Sequence, residues 1–460
     1  MSSKRSTTRA VAAVPTAAPQ DLRITVFGTG YLGATHAVAM AELGFDVVGV
    51  DVDQAKVDAL ANGKVPFFEP GLPELLEKNL QTGRLRFTTD AASAVAGADV
   101  HFVCVGTPQQ RTSHAANLAF VESATTVIAR NLTKDAVIVG KSTVPVGTAA
   151  RLRELVADVA PTGLDVELVW NPEFLREGKA VDDTLHPDRI VLGGVSAKAE
   201  AVMRAVYAGP IAEGSPVVVT DLPTAELVKV SANAFLATKI SFINAIAGVC
   251  EAAGADVTVL ADALGHDSRI GRQFLDAGLG FGGGCLPKDI RALMHRANEL
   301  GAHRAGALLQ QVDEINMGQR ERVVDMALEA CGGSVLNKRI GVLGAAFKPL
   351  TDDVRDSPAL NVAAALHLRG AQVTVFDPEA GDTARRAFPT LGYGTSLDEA
   401  VEECDVLLVL TEWDQFVDAD PKRLAGLTRT PRVIDARGKL SVADWRAAGW
   451  QFTGLGRLAA

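Results

Sequence analysis

The chain has 460 residues, with 48% hydrophobic and 22% charged residues and 43 glycines; about three domains' worth of ordinary globular sequence excludes a disordered, fibrous or mini-protein reading. Lysine and arginine number 45 against 55 aspartates and glutamates, a formal net charge of −10, so the surface as a whole repels polyphosphate and an anionic ligand needs a local site. Only 5% of residues are aromatic, which with that charge argues against nucleic acid as a partner.

The five cysteines (Cys104, Cys250, Cys285, Cys331 and Cys404) are scattered and the eight histidines show no ligand spacing. That pattern argues for a reducing cytoplasm and against a disulfide framework or a metal site. No uncharged apolar run approaches the ~20 residues of a membrane span; Ile240–Cys250 is the nearest and is too short. Residues 1–20 carry Lys4, Arg5 and Arg9 and are broken by Pro15 and Pro19. They lack the compact apolar block of a signal peptide and read as a flexible tail.

From Leu22 onward, short β-branched apolar runs predict strands at Ile24–Phe27, Val47–Val50, Val100–Val105, Ala136–Val139, Val166–Val169, Ile190–Leu192 and Val217–Val219. Helical periods fill several gaps, at Gly33–Leu43 and Asn117–Asn131 for example, the rhythm of a parallel sheet covered on both faces. Thr224–Ala253 predicts one helix of about 30 residues, well beyond the usual length, and helical segments continue to about Ala330. Strands return at Arg339–Leu343, Val373–Phe376, Val406–Leu410 and Val433–Ile434. "RITVFGTGYLG" parallels "RIGVLGAAFK", "FDVVGVDVD" parallels "AQVTVFDPE", and "ADVHFVCVGTP" parallels "CDVLLVLTEW", a degenerate duplication of a nucleotide-binding half. The expectation is an α/β protein: a Rossmann-like domain over 21–221, a helical region over 222–330 with a dimerisation surface, and a second Rossmann-like domain over 331–460.

Gly28-x-Gly30-x-x-Gly33 follows a strand and opens a helix, and Asp51 ends the next strand. Those positions supply a tight turn, close backbone approach to a pyrophosphate, close helix–strand packing and a ribose acceptor that favours NAD over NADP. A glycine-rich βα turn with a capping aspartate fits the same letters. Thr107 and Thr143 lie in "VGTP" and "KSTVPVGT" at the ends of the next two strands, on the ligand side of such sheets, where plain turn chemistry is the alternative. Glu173 and Glu177 are four apart in "NPEFLREG" and share a face if that turn is helical. Lys229 and Asn233 also stand four apart on the long helix. They are suitable donors to an oxyanion, or equally a snorkelling lysine beside a satisfied amide.

The most informative segment is "GLGFGGGCLPKD". Pro287 suits the start of a helix, which places Cys285 just before an N-terminus with Lys288 near it and Asp289 four residues on. Both the helix end and the lysine are expected to hold the thiol below its free value of ~8.5. A dinucleotide turn and an activated thiol in one chain point to hydride transfer through a thiohemiacetal and a thioester.

Taken in order, "GTGYLG", "NGKVPFFEPGLPELL", "VGTP", "STVPVG", "NPEFLREG", "HPDRIVLGG", "ELVKVSANAFLATK", "GFGGGCLPKD", "FKPLTDDVRDSP" and "VIDARG" resemble the UDP-glucose/GDP-mannose dehydrogenase family over about residues 22–440. The resemblance implies a four-electron, NAD-dependent oxidation of a nucleotide sugar, UDP-glucose to UDP-glucuronate. The alternatives are the same chemistry on GDP-mannose or UDP-N-acetylmannosamine, or a two-electron dehydrogenase of the β-hydroxyacid type. It implies Cys285 as nucleophile, Lys229 and Asn233 steadying oxyanions, Asp289 in base chemistry, and Glu173 and Thr143 positioning water and substrate. By the same resemblance NAD meets Gly28, Thr29, Gly30, Tyr31, Leu32, Gly33, Asp51, Lys56, Thr107, Thr143, Glu177, Lys288 and Arg355. The sugar nucleotide meets Glu173, Phe174, Leu175, Glu177, Lys229, Asn233, Phe281, Gly282, Gly283, Phe347, Lys348 and Arg437, with Arg269 reaching over from a second subunit of a homodimer. The second sheet block has only Gly341-x-x-Gly344, which suits the role the resemblance implies for it, holding the nucleotide sugar and not a second NAD. Two departures stand out, Asp276 where some relatives carry lysine and "CLPKD" for "CFPKD".

Overall fold

In a computed structural model the described residues are 22–110 and 113–457; the proposed tail at 1–20 lies outside them. The first sheet has eight strands: β1 (Arg23–Phe27), β2 (Asp46–Val50), β3 (Leu85–Thr88), β4 (Val100–Val103), β5 (Ala136–Gly140), β6 (Val166–Trp170), β7 (Ile190–Gly193) and β8 (Val217–Thr220). Their order is β3-β2-β1-β4-β5-β6-β7-β8. β4 and β5 are buried along their whole length, with apolar cores on both faces of the sheet, which is why those strands read as unbroken apolar runs. One pairing departs from the expected parallel sheet: β6 and β7 meet antiparallel at Trp170 and Gly193. The strand order reverses between β1 and β4, with β2 and β3 added on one side and β4 and β5 on the other, the point where such sheets open a ligand crevice at their carboxyl ends.

The second sheet contains β9 (Arg339–Leu343), β10 (Gln372–Phe376), β11 (Gly392–Tyr393), β12 (Val406–Val409), β13 (Arg432–Asp435) and β14 (Gln451–Gly454), in the order β11-β10-β9-β12-β13-β14. That is the order of the first six strands of the first sheet, so the duplication seen in the letters is also topological. The equivalence extends to single bonds. Gly28 N donates to Val50 O at 2.8 Å, and Gly344 N donates to Phe376 O at 2.8 Å. β3, β11 and β14 were not predicted, being too short to show a period.

Between the sheets runs the helix Leu222–Ala253, 32 residues long. It starts two residues before the predicted Thr224 because Asp221 caps it, accepting Thr224 N at 2.7 Å, and it ends at Gly254 with φ +75°. By length and composition it is able to cross a membrane, although Lys229, Lys239 and Glu251 leave no uncharged run in it longer than Ile240–Cys250. Its inward face, however, carries the buried polar side chains Glu226, Lys229, Asn233, Ser241 and Asn244. Each described partner is protein: Ser241 Oγ donates to Val312 O at 2.7 Å, and Asn244 Oδ1 accepts Gly278 N at 2.8 Å. It is a core helix between the helices Leu286–Glu299 and His303–Ala330.

Glu226 ties this helix to the sheet that bears Thr143. Its carboxylate accepts Gly147 N at 2.8 Å and Ala149 N at 2.6 Å at the start of helix Thr148–Val159, satisfying N–H groups that a helix leaves unpaired. Replacing Glu226 by Ala removes two charge-assisted bonds from a buried site and lowers unfolding stability by about 3 kcal/mol, read as a lower midpoint at unchanged slope in urea denaturation.

Candidate active site

β1 delivers the chain to Gly28 at φ +85°, where a Cβ would lie 2.8 Å from the Val105 side chain. A Cβ on Gly33 would meet Gly28 O at 1.7 Å, so helix Tyr31–Glu42 approaches the strand as closely as glycine permits. Gly30 has open space where its Cβ would be and is the N-cap of that helix without any side-chain cap. Bare N–H groups facing open space form a cradle for a pyrophosphate. A cavity of about 340 Å³ opens on one side, lined by Gly28, Asp51, Lys56 and Phe120. A second, of about 580 Å³, opens on the other and shares Gly30, Cys104, Val105 and Gly106 with it. The two form a trough passing over Gly30, of the shape a dinucleotide requires. The residues fit the cofactor.

Asp51 holds this trough together. Its Oδ2 accepts Thr29 N at 2.8 Å, Thr29 Oγ1 at 3.0 Å and Lys56 Nζ at 3.1 Å, and its Oδ1 accepts Asp53 N at 3.1 Å. Burial opposes its charge, but these donors outweigh burial and keep its carboxyl below the usual range. Among the described residues Oδ1 accepts only Asp53 N, and Asp51 lines the smaller cavity, where a ribose hydroxyl is expected.

The larger cavity is lined by Leu32, Thr107, Thr143, Glu173, Leu175, Glu177, Gly283, Gly284, Cys285, Lys288 and Arg355, residues from both sheets and the helical region. Cys285 is the N-cap of helix Leu286–Glu299, with Pro287 in its first turn, and is solvent-accessible where Cys104, Cys250 and Cys404 are buried. The glycine run before it threads between neighbours: a Cβ on Gly283 would lie 2.8 Å from the Phe347 ring and one on Gly284 2.3 Å from the Arg355 guanidinium. Beneath the sulfur are two ion pairs. Lys229 Nζ lies 3.0 Å from Glu173 Oε1. Asp289 accepts Asn233 Nδ2 at 2.7 Å and Lys288 Nζ at 2.6 Å. Lys229 is therefore a buried, paired cation and not a snorkelling one; burial opposes its charge, but Glu173 and Cys285 keep its pKa above the ordinary lysine value.

Two expectations are corrected. First, the Cys285 thiol is raised and not lowered: the residue keeps contact with solvent at the mouth of the cleft, but protein packed around it desolvates the thiolate, and this first, then Glu173 and Asp289, outweigh Lys229 and push it up to about 12. Lys288 spends its charge on Asp289 and also reaches Thr107 Oγ1 at 3.4 Å, so the nearest helpful cation is Lys229. Second, residues 171–176 are irregular and not helical. Asn171 is pinned by Val191 O at 2.9 Å, Lys141 Nζ at 3.1 Å and Tyr207 OH at 2.6 Å, and Pro172 has no N–H to give a helix. Glu173 and Glu177 reach the same cavity by different routes. Glu177 faces the segment Phe347–Asp356, accepting Thr351 Oγ1 at 3.0 Å and Arg355 Nη2 at 3.3 Å.

The remaining sites divide. Arg437 braces the far wall through Leu410 O at 2.7 Å, Gly280 O at 3.1 Å and Phe347 O at 3.1 Å, and Lys348 Nζ donates to Glu177 O. Phe281 turns its ring into a core with Ala234, Ile290 and Val312, and neither it nor Gly282 lines the cavity, which begins at Gly283. Phe174 packs under the Arg189 guanidinium, 3.7 Å from ring centroid to carbon. Arg269 is exposed, pairs with Asp267 and does not line the cavity. Asp276 pairs with Arg272 at 2.9 Å and Lys439 at 3.4 Å. Among the described residues no cluster is suited to a metal. Sequence reasoning missed Glu69, which receives the Tyr31 hydroxyl, Gly178 N at 2.6 Å and Ala180 N at 2.7 Å, and Asn316, which holds Phe281 N at 2.7 Å. Glu69 lies inside a quoted motif, but its partners are remote in sequence.

The chain matches the UDP-glucose/GDP-mannose dehydrogenase NAD binding domain over residues 22–210, the central domain over 223–318 and the UDP binding domain over 341–442. It belongs to that family. The family's NAD binding domain is the first sheet with its glycine turn, so the chain is an NAD-dependent nucleotide-sugar dehydrogenase, and the central match contains Cys285, Lys229 and Asn233. The chain is 42% identical over 439 residues to UDP-glucose 6-dehydrogenase of Rhizobium meliloti, covering 95% of this chain and 100% of that one. To UDP-glucose 6-dehydrogenase TuaD of Bacillus subtilis it is 43% identical over 436 residues, covering 95% and 93%. Among solved structures, a UDP-glucose dehydrogenase from Pyrobaculum islandicum superposes with a TM-score of 0.88 at 36% identity, covering 98% of this chain and 100% of that one.

For a family member with this thiol environment, reaction with iodoacetamide in the free enzyme is slow. At pH 8 Cys285 alkylates at least about a hundredfold more slowly than a free thiol, its rate rises with pH beyond pH 9, and Glu173→Gln accelerates it by removing a facing negative charge. Site-resolved mass spectrometry over time measures all three.

Proposed function

We propose that the protein oxidises UDP-glucose to UDP-glucuronate through a covalent sulfur adduct at Cys285. The observation that carries this reading is that Cys285 shares one cavity with the glycine turn Gly28–Gly33, above the Lys229–Glu173 pair. Bound NAD supplies the hydride acceptor in each of two rounds. Lys229 and Asn233 donate to the sugar's C6 oxygen as it becomes an alkoxide, and the alcohol proton passes to a carboxylate or water of the cleft. The Cys285 sulfur then forms a bond to the aldehyde carbon, its proton going to a neighbouring base, of which Asp289 is the candidate. Loss of a second hydride leaves a thioester. Water positioned by Glu173 and Thr143 attacks it, the carbon–sulfur bond breaks, and the carboxylate leaves with the thiol restored.

The reading assigns residues 21–221 to the cofactor, 222–330 to the thiol and to contact between copies, and 331–460 to the uridine diphosphate, with Phe347, Lys348 and Arg437 at its wall. A thiol that must stay reduced suits a reducing cytoplasm. The similarity to named UDP-glucose 6-dehydrogenases favours glucose over other sugars.

Two NADH form per UDP-glucose consumed, and Cys285→Ser yields no acid product, as measured by absorbance at NADH wavelengths and by chromatography of the nucleotide sugars. One NADH with free aldehyde from the unaltered enzyme refutes the mechanism. A larger thermal shift with GDP-mannose or UDP-N-acetylmannosamine than with UDP-glucose reassigns the substrate.

The homodimer is also proposed. The outward face of helix Leu222–Ala253 exposes Phe235, Phe242 and Val249 at 66%, 49% and 60%, a heptad stripe that a second copy of the same helix would cover. Phe235→Asp with Phe242→Asp shifts the sedimenting species from dimer to monomer. An unchanged dimer in that double variant removes this surface as the interface.

A further inference from the structure

Among the described residues that bound the Cys285 cleft, charges fall into matched sets except at one place. Glu173 has Lys229 at 3.0 Å and Asp289 has Lys288 at 2.6 Å. Asp356 has Arg291 at 3.2 Å and Arg320 at 2.8 Å, with Asp313 on Arg291 at 2.9 Å. At Glu177 the count fails. Asp353 grips the Arg355 guanidinium through Nε at 2.9 and 3.0 Å and Nη2 at 2.7 Å, leaving Glu177 one contact with the same group at 3.3 Å. The other groups facing Glu177 do not neutralise it. Thr351 donates a hydroxyl, Lys348 donates to the Glu177 carbonyl, and Tyr31 is held by Glu69. Over Glu69, Glu177, Asp353, Lys348 and Arg355, three carboxylates face two cations. Cys285, with its thiol proton retained, adds no charge of its own.

We propose that the unbalanced carboxylate of Glu177 discriminates between the oxidation states of the cofactor, favouring NAD⁺ over NADH and so promoting exchange of the spent cofactor between the two hydride transfers. The inference rests on the reading above: hydride leaves a carbon held at Cys285, so the ring that receives it lies in the cavity that Cys285 and Glu177 both line. The two cofactor forms differ there by one unit of charge and little in shape. Contacts of shape therefore bind both, and only the field of the cleft separates them. The reaction needs such a separation midway, when the sugar is still attached to the protein and a second equivalent of oxidised cofactor must enter. In a partly desolvated cleft one uncompensated carboxylate is worth on the order of a tenfold difference in affinity. Burial first, and Asp353 second, raise Glu177 to about 7 against Arg355, Thr351 and Lys348. The surplus charge is therefore present above neutrality and is lost as pH falls through that value.

Calorimetric titration of NAD⁺ and of NADH into the full chain without sugar nucleotide tests this. At pH 8, Glu177→Gln weakens NAD⁺ about tenfold relative to NADH, and Asp353→Asn, which removes the competitor for Arg355, shifts the affinity ratio in the same direction. In the unaltered protein the preference declines from pH 8 to pH 6, while in Glu177→Gln it does not move. Equal weakening of both forms in the variants, or a ratio insensitive to both substitutions and to pH, overturns the proposal. If Glu177→Gln does not fold, the pH series on the unaltered protein decides. Two NADH per sugar with an unchanged ratio sinks this inference alone; one NADH with a shifted ratio sinks the thiol mechanism and leaves the charge selectivity at the cofactor site standing.

Discussion

A buried ammonium is costly unless polar or charged partners meet it, and the Lys229–Glu173 pair at 3.0 Å is the contact on which this architecture turns. Lys229 comes from the long central helix and Glu173 from the irregular stretch after β6, so the pair fixes the helix against the carboxyl ends of the first sheet. Removing either partner would leave an uncompensated charge in the interior. Two buried carboxylates extend the same logic: Glu226 caps the helix that follows Thr143, and Asp289 takes Asn233 from the long helix and Lys288 from its own. The helix is held in register by charges, and the thiol is held in register by the helix.

The same charges make the resting thiol a poor nucleophile. Glu173 and Asp289 raise it, and Lys229 offsets only part of their effect. A helix N-terminus by itself lowers a thiol, but at Cys285 burial and two carboxylates outweigh it. A thiol kept protonated resists adventitious oxidation and alkylation.

The two sheets show how one topology serves two ends. Each ends its first strand in a glycine turn and its second in an aspartate that accepts the backbone of that turn: Asp51 holds Thr29 N at 2.8 Å, and Asp377 holds Ala345 N at 2.7 Å. In the first sheet the turn opens onto Gly30 and empty space. In the second, Asp377 also receives the Trp413 indole at 3.2 Å, and the chain runs on through Phe347 to Asp356 to meet Glu177, Gly284 and Phe68. The second half has exchanged an open phosphate cradle for a segment that reaches across the cleft.

The alternating strands, the long helix, the duplication and the glycine turn were legible in the letters, because each rests on local periodicity or on backbone conformations that few residues adopt. Cys285, Lys229 and Asn233 were legible as candidates by type and spacing. What the letters did not contain was the sign of the thiol's shift, the irregular path of residues 171–176, or the parts played by Glu69, Asp353 and Asn316. Those depend on which charges and amides meet after segments from about 20 to more than 170 residues apart are brought together. Local sequence determines which conformations and which chemical groups are on offer; the electrostatic sum at any one atom is set only by the packed neighbours, so the reactivity of Cys285 and the charge surplus at Glu177 belong to the tertiary structure.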